Sequence, residues 1–124
     1  MQSDWLKTVE ERFQELLSLQ PDWDSYGANA IEQKYLDQAK EFLEQVMRED
    51  TAMPALVPLA DGGVQLEWHV NGFDVEICFS PEDPQELYIH EIGTGAEIEL
   101  PDPVQVYLDN QLQQKLQRRV KVQL

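Results

Sequence analysis

Two histidines and a group of carboxylates occupy alternate positions in the middle of the chain, where they could bind a ligand or another protein. The candidate residues are Glu67, His69, Asp74, Glu76, Glu97 and Glu99, and His90 follows the same alternation. Histidine and carboxylate groups can coordinate divalent metal ions and can serve as acid and base. Their spacing matches no recognised ligand pattern, so a cross-strand polar pair such as His69 with Asp74 is the simpler interpretation.

The sequence contains no other pattern typical of catalysis or cofactor binding. Cys78 is the only cysteine, which excludes an intramolecular disulfide and a Cys-x-x-Cys motif, and we interpret it as a small buried or half-buried hydrophobic residue of a strand. Asp22, Asp24 and Asn29 lack the spacing of an EF-hand calcium loop. Phosphate-binding loops and nucleophile elbows do not occur. We therefore predict no catalytic residues, no metal ligands and no cofactor.

The charge of the chain is strongly negative and unevenly distributed. There are 24 acidic and 9 basic residues, for a net charge of −15 at pH 7. The last acidic residue is Asp109, and four basic residues follow it: Lys115, Arg118, Arg119 and Lys121. Residues 1–109 thus hold all the acids and five of the bases, a net charge of −19. Such a field repels nucleic acids and anionic membranes and attracts basic partners, although solubility alone could also explain it.

Length and composition favour one globular domain over residues 1–124. Hydrophobic residues make up 42% and charged residues 27% of the chain, which argues against disorder and against a membrane protein. No apolar run approaches the roughly 18–20 residues that a membrane span needs. The first residues lack the basic and apolar regions of a secretory signal, so we predict a cytoplasmic protein.

Two N-terminal helices are predicted from apolar residues at helical spacing. The first has Ser3 as its N-cap and ends near Gln20, just before a proline. The second covers about residues 30–49, with Asn29 as its N-cap and Glu32 closing a capping box.

Two further predictions concern the loop between these helices and a helix at the end of the chain. Trp23 and Tyr26 are predicted to pin the loop to the core, and Gly27 to supply an unusual backbone angle. A third helix is predicted from the Asp102 N-cap to about Arg119, with basic residues at its C-terminal end.

A β-hairpin is the clearest local signal. Apolar residues alternate with polar ones on both sides of Asn71-Gly72, the preferred pair for a two-residue type I′ turn. The turn sets the register: Val70 lies opposite Phe73, Trp68 opposite Val75, Leu66 opposite Ile77, and Val64 opposite Phe79. Glu67 then faces Glu76 and His69 faces Asp74 on the other side of the sheet.

Further strands are predicted before and after this hairpin. Residues 55–57 suit an edge strand between prolines, and residues 86–92 and 96–100 continue the alternation, with Leu87 and Ile89 as core candidates. The predicted fold is α+β: two N-terminal helices, a four- to five-stranded antiparallel meander and one C-terminal helix, packed as a two-layer sandwich.

Two motifs resemble a group of small acidic bacterial proteins that has no settled activity. They are Trp23-Asp24-Ser25-Tyr26-Gly27-Ala28 and Asp61-Gly62-Gly63-Val64-Gln65-Leu66-Glu67-Trp68, which are similar to the patterns W-D-x-Y-G-A and D-G-G-V-x-L-E-W of that group. The resemblance covers about residues 15–80. It implies an accessory or antitoxin-like partner rather than an enzyme, and it implies no catalytic residues.

The sequence therefore favours a non-enzymatic protein that binds and modulates a basic protein partner, in the manner of an antitoxin or inhibitor. The predicted contacts are Glu67, His69, Asp74, Glu76, Glu97 and Glu99, with the basic C-terminal helix as a second contact. Two alternatives remain: a DNA mimic that inhibits a nucleic-acid-binding enzyme, and a small metal-dependent enzyme. We expect no direct binding of nucleic acid or membrane, and the edge strand near Leu56 would permit a homodimer.

Overall fold

The computed structural model describes residues 4–82, 85–100 and 114–117. Two helices precede five strands: α1 (Asp4–Leu17), α2 (Gln33–Val46), β1 (Ala55–Pro58), β2 (Val64–Val70), β3 (Phe73–Phe79), β4 (Leu87–Glu91) and β5 (Glu97–Leu100). The strands form one antiparallel sheet in chain order, β1-β2-β3-β4-β5. Residues 114–116 are helical. The predicted α+β fold is confirmed, while the N-caps Ser3 and Asp102 and most of the predicted third helix lie outside the described residues.

The β2–β3 hairpin has the predicted turn and register. Asn71 and Gly72 both adopt positive φ, 56° and 80°, as a type I′ turn requires. The pairs run from Val70 with Phe73 at the turn to Val64 with Phe79 at the open end. One face of the hairpin is consequently apolar and the other is polar along its whole length.

Both helices cover the apolar face of the sheet. The helices contribute nine residues to the core: Val9, Phe13, Leu16, Tyr35, Leu36, Ala39, Phe42, Leu43 and Val46. The strands contribute nine more: Leu56, Val64, Leu66, Trp68, Val75, Ile77, Phe79, Leu87 and Ile89. The Phe42 ring lies 6.5 Å from that of Trp68 and 6.0 Å from that of Phe79, centroid to centroid. Each such large apolar side chain stabilises the fold by about 1.5–3 kcal/mol when fully buried. The polar face of the sheet is left facing away from the helices.

Helix α2 is shorter than predicted at both ends. The Asn29 N-cap and its capping box with Glu32 are wrong, because Glu32 itself is the N-cap and its side chain makes no capping hydrogen bond. The backbone of this segment is used elsewhere: the Asn29 amide donates to the Ala60 carbonyl, and the Glu32 amide donates to the Gly62 carbonyl. Extended pairing with the turn before β2 therefore replaces the predicted first turn of the helix. At the other end, Met47 is already extended, with φ −73° and ψ 131°.

Of the two aromatic residues in the loop between the helices, only Trp23 contacts the core; the backbone around Tyr26 is held by a carboxylate instead. The prediction that Tyr26 pins it to the core is wrong, since that side chain is 91% exposed. Trp23 does pack against the core, and its Nε1 donates to the Asn29 carbonyl at 2.9 Å. Oδ1 of Asp24 accepts from the Tyr26 amide at 2.8 Å, which fixes that backbone without burying its ring. Gly27 has the predicted unusual angle, a φ of 83°.

The C-terminal segment docks beside the hairpin. Leu116 is fully buried in the core. Its carbonyl accepts a hydrogen bond from the Ala52 amide at 2.8 Å, and Gln117 forms an isolated antiparallel bridge with Thr51. Residues 114–117 thus join the end of the chain to the connection between α2 and β1. Within the described part of the chain, no helix combines the length and apolarity required to cross a membrane.

Candidate functional site

The polar face of the sheet brings the predicted site residues together in two rows across four strands. One row runs His69, Asp74, His90, Glu97, and the next runs Glu67, Glu76, Tyr88, Glu99. We call this group of eight residues the carboxylate face. His69, Glu97 and Glu99 are exposed, and the other five side chains are half-buried. All six residues predicted from the sequence therefore lie on one surface, although Glu97 and Glu99 sit two strands away from Asp74 and Glu76.

Asp74 lies at the centre of a hydrogen-bonded group with both histidines. Its Oδ1 accepts from Nδ1 of His69 at 2.7 Å, and its Oδ2 lies 3.4 Å from Nδ1 of His90. Nε2 of His69 lies 3.4 Å from Oε2 of Glu67, so carboxylates face both nitrogens of this ring. The bond from Asp74, with Glu67 next in effect, raises the pKa of His69 above its ordinary value. The same bond lowers the pKa of the Asp74 carboxyl.

Tyr88 is a member of the face that was not predicted from the sequence. Its hydroxyl donates to Oε1 of Glu97 at 2.8 Å, and this bond raises the pKa of the phenol. The signal was present in the sequence, because Tyr88 and His90 alternate with the buried Leu87 and Ile89. The hydroxyl fixes the position of the Glu97 carboxylate at the outer end of the face.

Glu67 and Glu76 are directly opposite each other on β2 and β3. Nε2 of Gln65 donates to Oε1 of Glu67, so that carboxylate is partly compensated. The side chain of Glu76 has no hydrogen bond or ion pair in the described part of the chain. Like charges opposite each other on adjacent strands destabilise a sheet, so this pair reduces the stability of the isolated protein.

The carboxylate face contains no lysine or arginine that could neutralise it. No lysine or arginine occurs in the sequence between Arg48 and Lys115, which covers all five strands. Lys115 itself lies with Nζ 5.3 Å from the centroid of the Phe73 ring, a residue of the opposite, apolar side of the hairpin. Among the residues of the face itself, the two histidines are the ones that can add positive charge, and they do so only when protonated.

The described residues show no arrangement typical of a metal site or of a nucleophile with its base. Within residues 4–82, 85–100 and 114–117, no three His, Cys, Asp or Glu side chains are arranged to hold a metal ion. Cys78 is half-buried on β3, and its Sγ donates to Oε1 of Gln65, away from both histidines. The carboxylates of the face, spread over three strands, form a broad negatively charged surface.

Comparison with known proteins gives no relative. No protein-family model, no curated protein and no solved structure matches the chain. The resemblance carried by the motifs at Trp23 and Asp61 stays a prediction, and no residue role can be transferred from another protein.

Proposed function

We propose that this chain is a non-enzymatic interaction protein that binds a basic protein partner through the carboxylate face and modulates that partner, as an antitoxin or inhibitor does. The observation that carries the proposal is the register that brings five carboxylates from β2, β3 and β5, with His90 and Tyr88 of β4 between them, onto one accessible surface without lysine or arginine among the described residues. Complementary charge of this kind raises the rate of association and selects between partners.

The repulsion between Glu67 and Glu76 supports the same proposal. These carboxylates are opposite each other, and nothing in the described part of the chain neutralises Glu76. If a lysine or arginine of a partner lies between the two carboxylates, it attracts each of them and offsets their mutual repulsion. A guanidinium can also bond to carboxylate oxygens with two parallel hydrogen bonds. Binding would thus recover stability that the unbound sheet lacks.

A second contact is proposed at the basic end of the chain. Lys115 is half-buried against Phe73, while Arg118, Arg119 and Lys121 lie outside the described residues. A partner with both basic and acidic regions could be contacted by the carboxylate face and by this end at once. The face is the main contact in the proposal, because its residues are positioned by the sheet.

The test uses two variants with the same change in net charge. The face variant combines Glu67→Gln, Glu76→Gln and Glu99→Gln. The control variant combines Glu11→Gln, Glu41→Gln and Glu44→Gln, three exposed glutamates of the helices. Each protein is immobilised and used to capture proteins from its native host, and the captured protein is then purified and titrated in both low and high salt.

We expect the wild type and the control variant to bind the same basic protein, with the face variant at least about tenfold weaker in low salt, a change of about 1.4 kcal/mol. Equal binding by all three proteins would refute the proposed role of the face. If the captured protein is a nucleic-acid-binding enzyme whose DNA competes for the site, the DNA-mimic alternative is correct instead. Stoichiometric metal in the purified protein would favour the metal-dependent enzyme.

A further inference from the structure

The two edges of the sheet differ in how well they are protected against pairing with another strand. At the β1 edge, Nε of Arg12 donates to the Leu56 carbonyl at 3.2 Å. That carbonyl therefore points away from β2, and by alternation the backbones of Pro54 and Pro58 point the same way. Proline has no amide hydrogen, so Leu56 offers the one backbone donor on this edge. Prolines and a covering side chain are a common protection of edge strands, so this edge is less open to the homodimer that the sequence would permit near Leu56.

The β5 edge has no such protection in the described part of the chain. The Glu91 amide donates to the Ala96 carbonyl at 2.9 Å, which shows that Ala96 points toward β4. Alternation then directs the backbone amides and carbonyls of Glu97 and Glu99 away from the sheet. Among the described residues β5 is the last strand of the sheet, so no further strand pairs with these groups there. Between them, Ile98 is 45% exposed on the other side of the strand.

We propose that a strand of the basic partner adds to the sheet antiparallel to β5. This inference rests on the proposed function and specifies how the partner is held. The outward groups of Glu97 and Glu99 form backbone hydrogen bonds to the added strand, which is a general mode of peptide recognition. Residues opposite these two glutamates are lysine or arginine, and the residue opposite Ile98 is apolar. The partner segment thus alternates basic and apolar residues and extends the carboxylate face by one strand.

A second copy of this chain does not meet these requirements. In an antiparallel β5 pair centred on Ile98, Glu97 of one copy lies opposite Glu99 of the other. Shifting the register by two residues places Glu97 or Glu99 opposite itself. These three registers are the ones that keep polar and apolar sides matched with the least offset between the strands, and each places glutamate opposite glutamate, which destabilises the pair. The charges at this edge disfavour pairing of β5 with β5 of a second copy and favour a basic strand.

The test uses a seven-residue peptide of alternating lysine and valine and two backbone-methylated forms of it. Methylating the lysine backbone nitrogens removes the hydrogens that would bond to Glu97 and Glu99, and methylating the valine nitrogens removes those that point to solvent. The three peptides carry the same charge. Each is titrated into the isotope-labelled full chain in low salt while hydrogen exchange of individual amides is followed by NMR.

We expect the unmethylated and valine-methylated peptides to protect the Glu97 and Glu99 amides, and the lysine-methylated peptide to bind at least about tenfold more weakly. Equal binding of all three would overturn strand addition and leave charge-driven binding to the carboxylate face intact. Failure of all three to bind would overturn this inference and also count against the proposed function. Protection of the same amides in a dimer of the unliganded protein would identify a second copy as the occupant and overturn the proposal.

Discussion

The side chain of Asn71, at the tip of the β2–β3 hairpin, donates from Nδ2 to the carbonyl oxygen of Gln117 at 2.6 Å, 46 residues later in the sequence. The same nitrogen donates to the Lys115 carbonyl at 2.8 Å. Asn71 therefore has two structural roles. It occupies the left-handed position of the turn, with φ 56°, and it holds the segment that buries Leu116.

These roles can be separated by Asn71→Gly. Glycine adopts the turn conformation without strain but has no side-chain donor, so we expect the free energy of unfolding to fall by about 1–3 kcal/mol. Urea denaturation measures this change. Hydrogen exchange at the Ala52 amide, which bonds to the Leu116 carbonyl, should become faster in the same variant. Asn71→Asp, which tolerates the turn but places a carboxylate against two carbonyls, should lose at least as much stability. Wild-type stability in both variants would show that the segment does not depend on Asn71.

Gly63 leaves no room for a side chain. A Cβ atom at this position would lie 2.3 Å from the Phe79 carbonyl oxygen and 2.4 Å from Cβ of Ser80. Because the carbonyl belongs to the strand paired with β2, the backbone must shift to make room. We expect Gly63→Ala to destabilise the protein by about 1–3 kcal/mol or more.

Gly93 provides the matched control for this prediction. A Cβ atom there would have no neighbour within 4 Å, and its φ is not in the left-handed range. We expect Gly93→Ala to change the denaturation midpoint little or to raise it slightly, because alanine reduces the entropy of the unfolded chain. Equal effects of the two substitutions would contradict the steric account of Gly63.

The hairpin and its cross-strand pairs were predictable because three local signals agreed. Alternation, the Asn71-Gly72 turn and the length of both strands all specify one register, and a slip of one residue would expose Trp68 to water. That register alone places Glu67 opposite Glu76. The positions of polar residues on the sheet could therefore be derived before any tertiary contact was known.

The failed predictions depend on contacts that are distant in sequence. Asn29 has the residue type of an N-cap, but its amide pairs with the carbonyl of Ala60, which no local pattern indicates. Tyr26 is a large aromatic residue whose burial was predicted from type alone, although Asp24 fixes the loop backbone. The differing protection of the two sheet edges also could not be predicted, because it depends on Arg12 of α1 reaching Leu56.

The pair formed by His69 and Asp74 should make stability depend on pH. The folded-state pKa of His69 lies above its ordinary value of 6.5, so its contribution is fully present below that pH and is lost as pH rises through the folded-state value. The folded-state pKa of Asp74 lies below its ordinary value of 3.8, so its contribution is present above that pH and is lost in stronger acid. The pair therefore stabilises the fold most between about pH 4 and 6.5.

We accordingly expect His69→Gln to lose more stability at pH 5.5 than at pH 8.5, as measured by urea denaturation at both values. In an NMR titration, the pKa of His69 should be raised in the wild type and should return toward its ordinary value in Asp74→Asn. Glu99→Gln is the control, because it removes a carboxylate of the same face that does not contact His69. An equal effect of Asp74→Asn and Glu99→Gln on the pKa of His69 would indicate the general field of the face rather than the hydrogen bond.

Replacement of Glu76 should affect stability and binding in opposite directions. In Glu76→Lys, an ion pair with Glu67 replaces repulsion between opposite residues, and we expect the free energy of unfolding to rise by about 0.2–1 kcal/mol at low salt. The gain should shrink in 1 M salt, where exposed charges are screened. Glu44→Lys makes the same change in charge on the exposed side of α2 and should give a smaller gain. Binding of a basic partner should weaken in Glu76→Lys and not in Glu44→Lys. Loss of stability in Glu76→Lys, with a well-folded sheet, would mean that the two glutamates do not repel each other, and that an external cation placed between them would not stabilise the sheet.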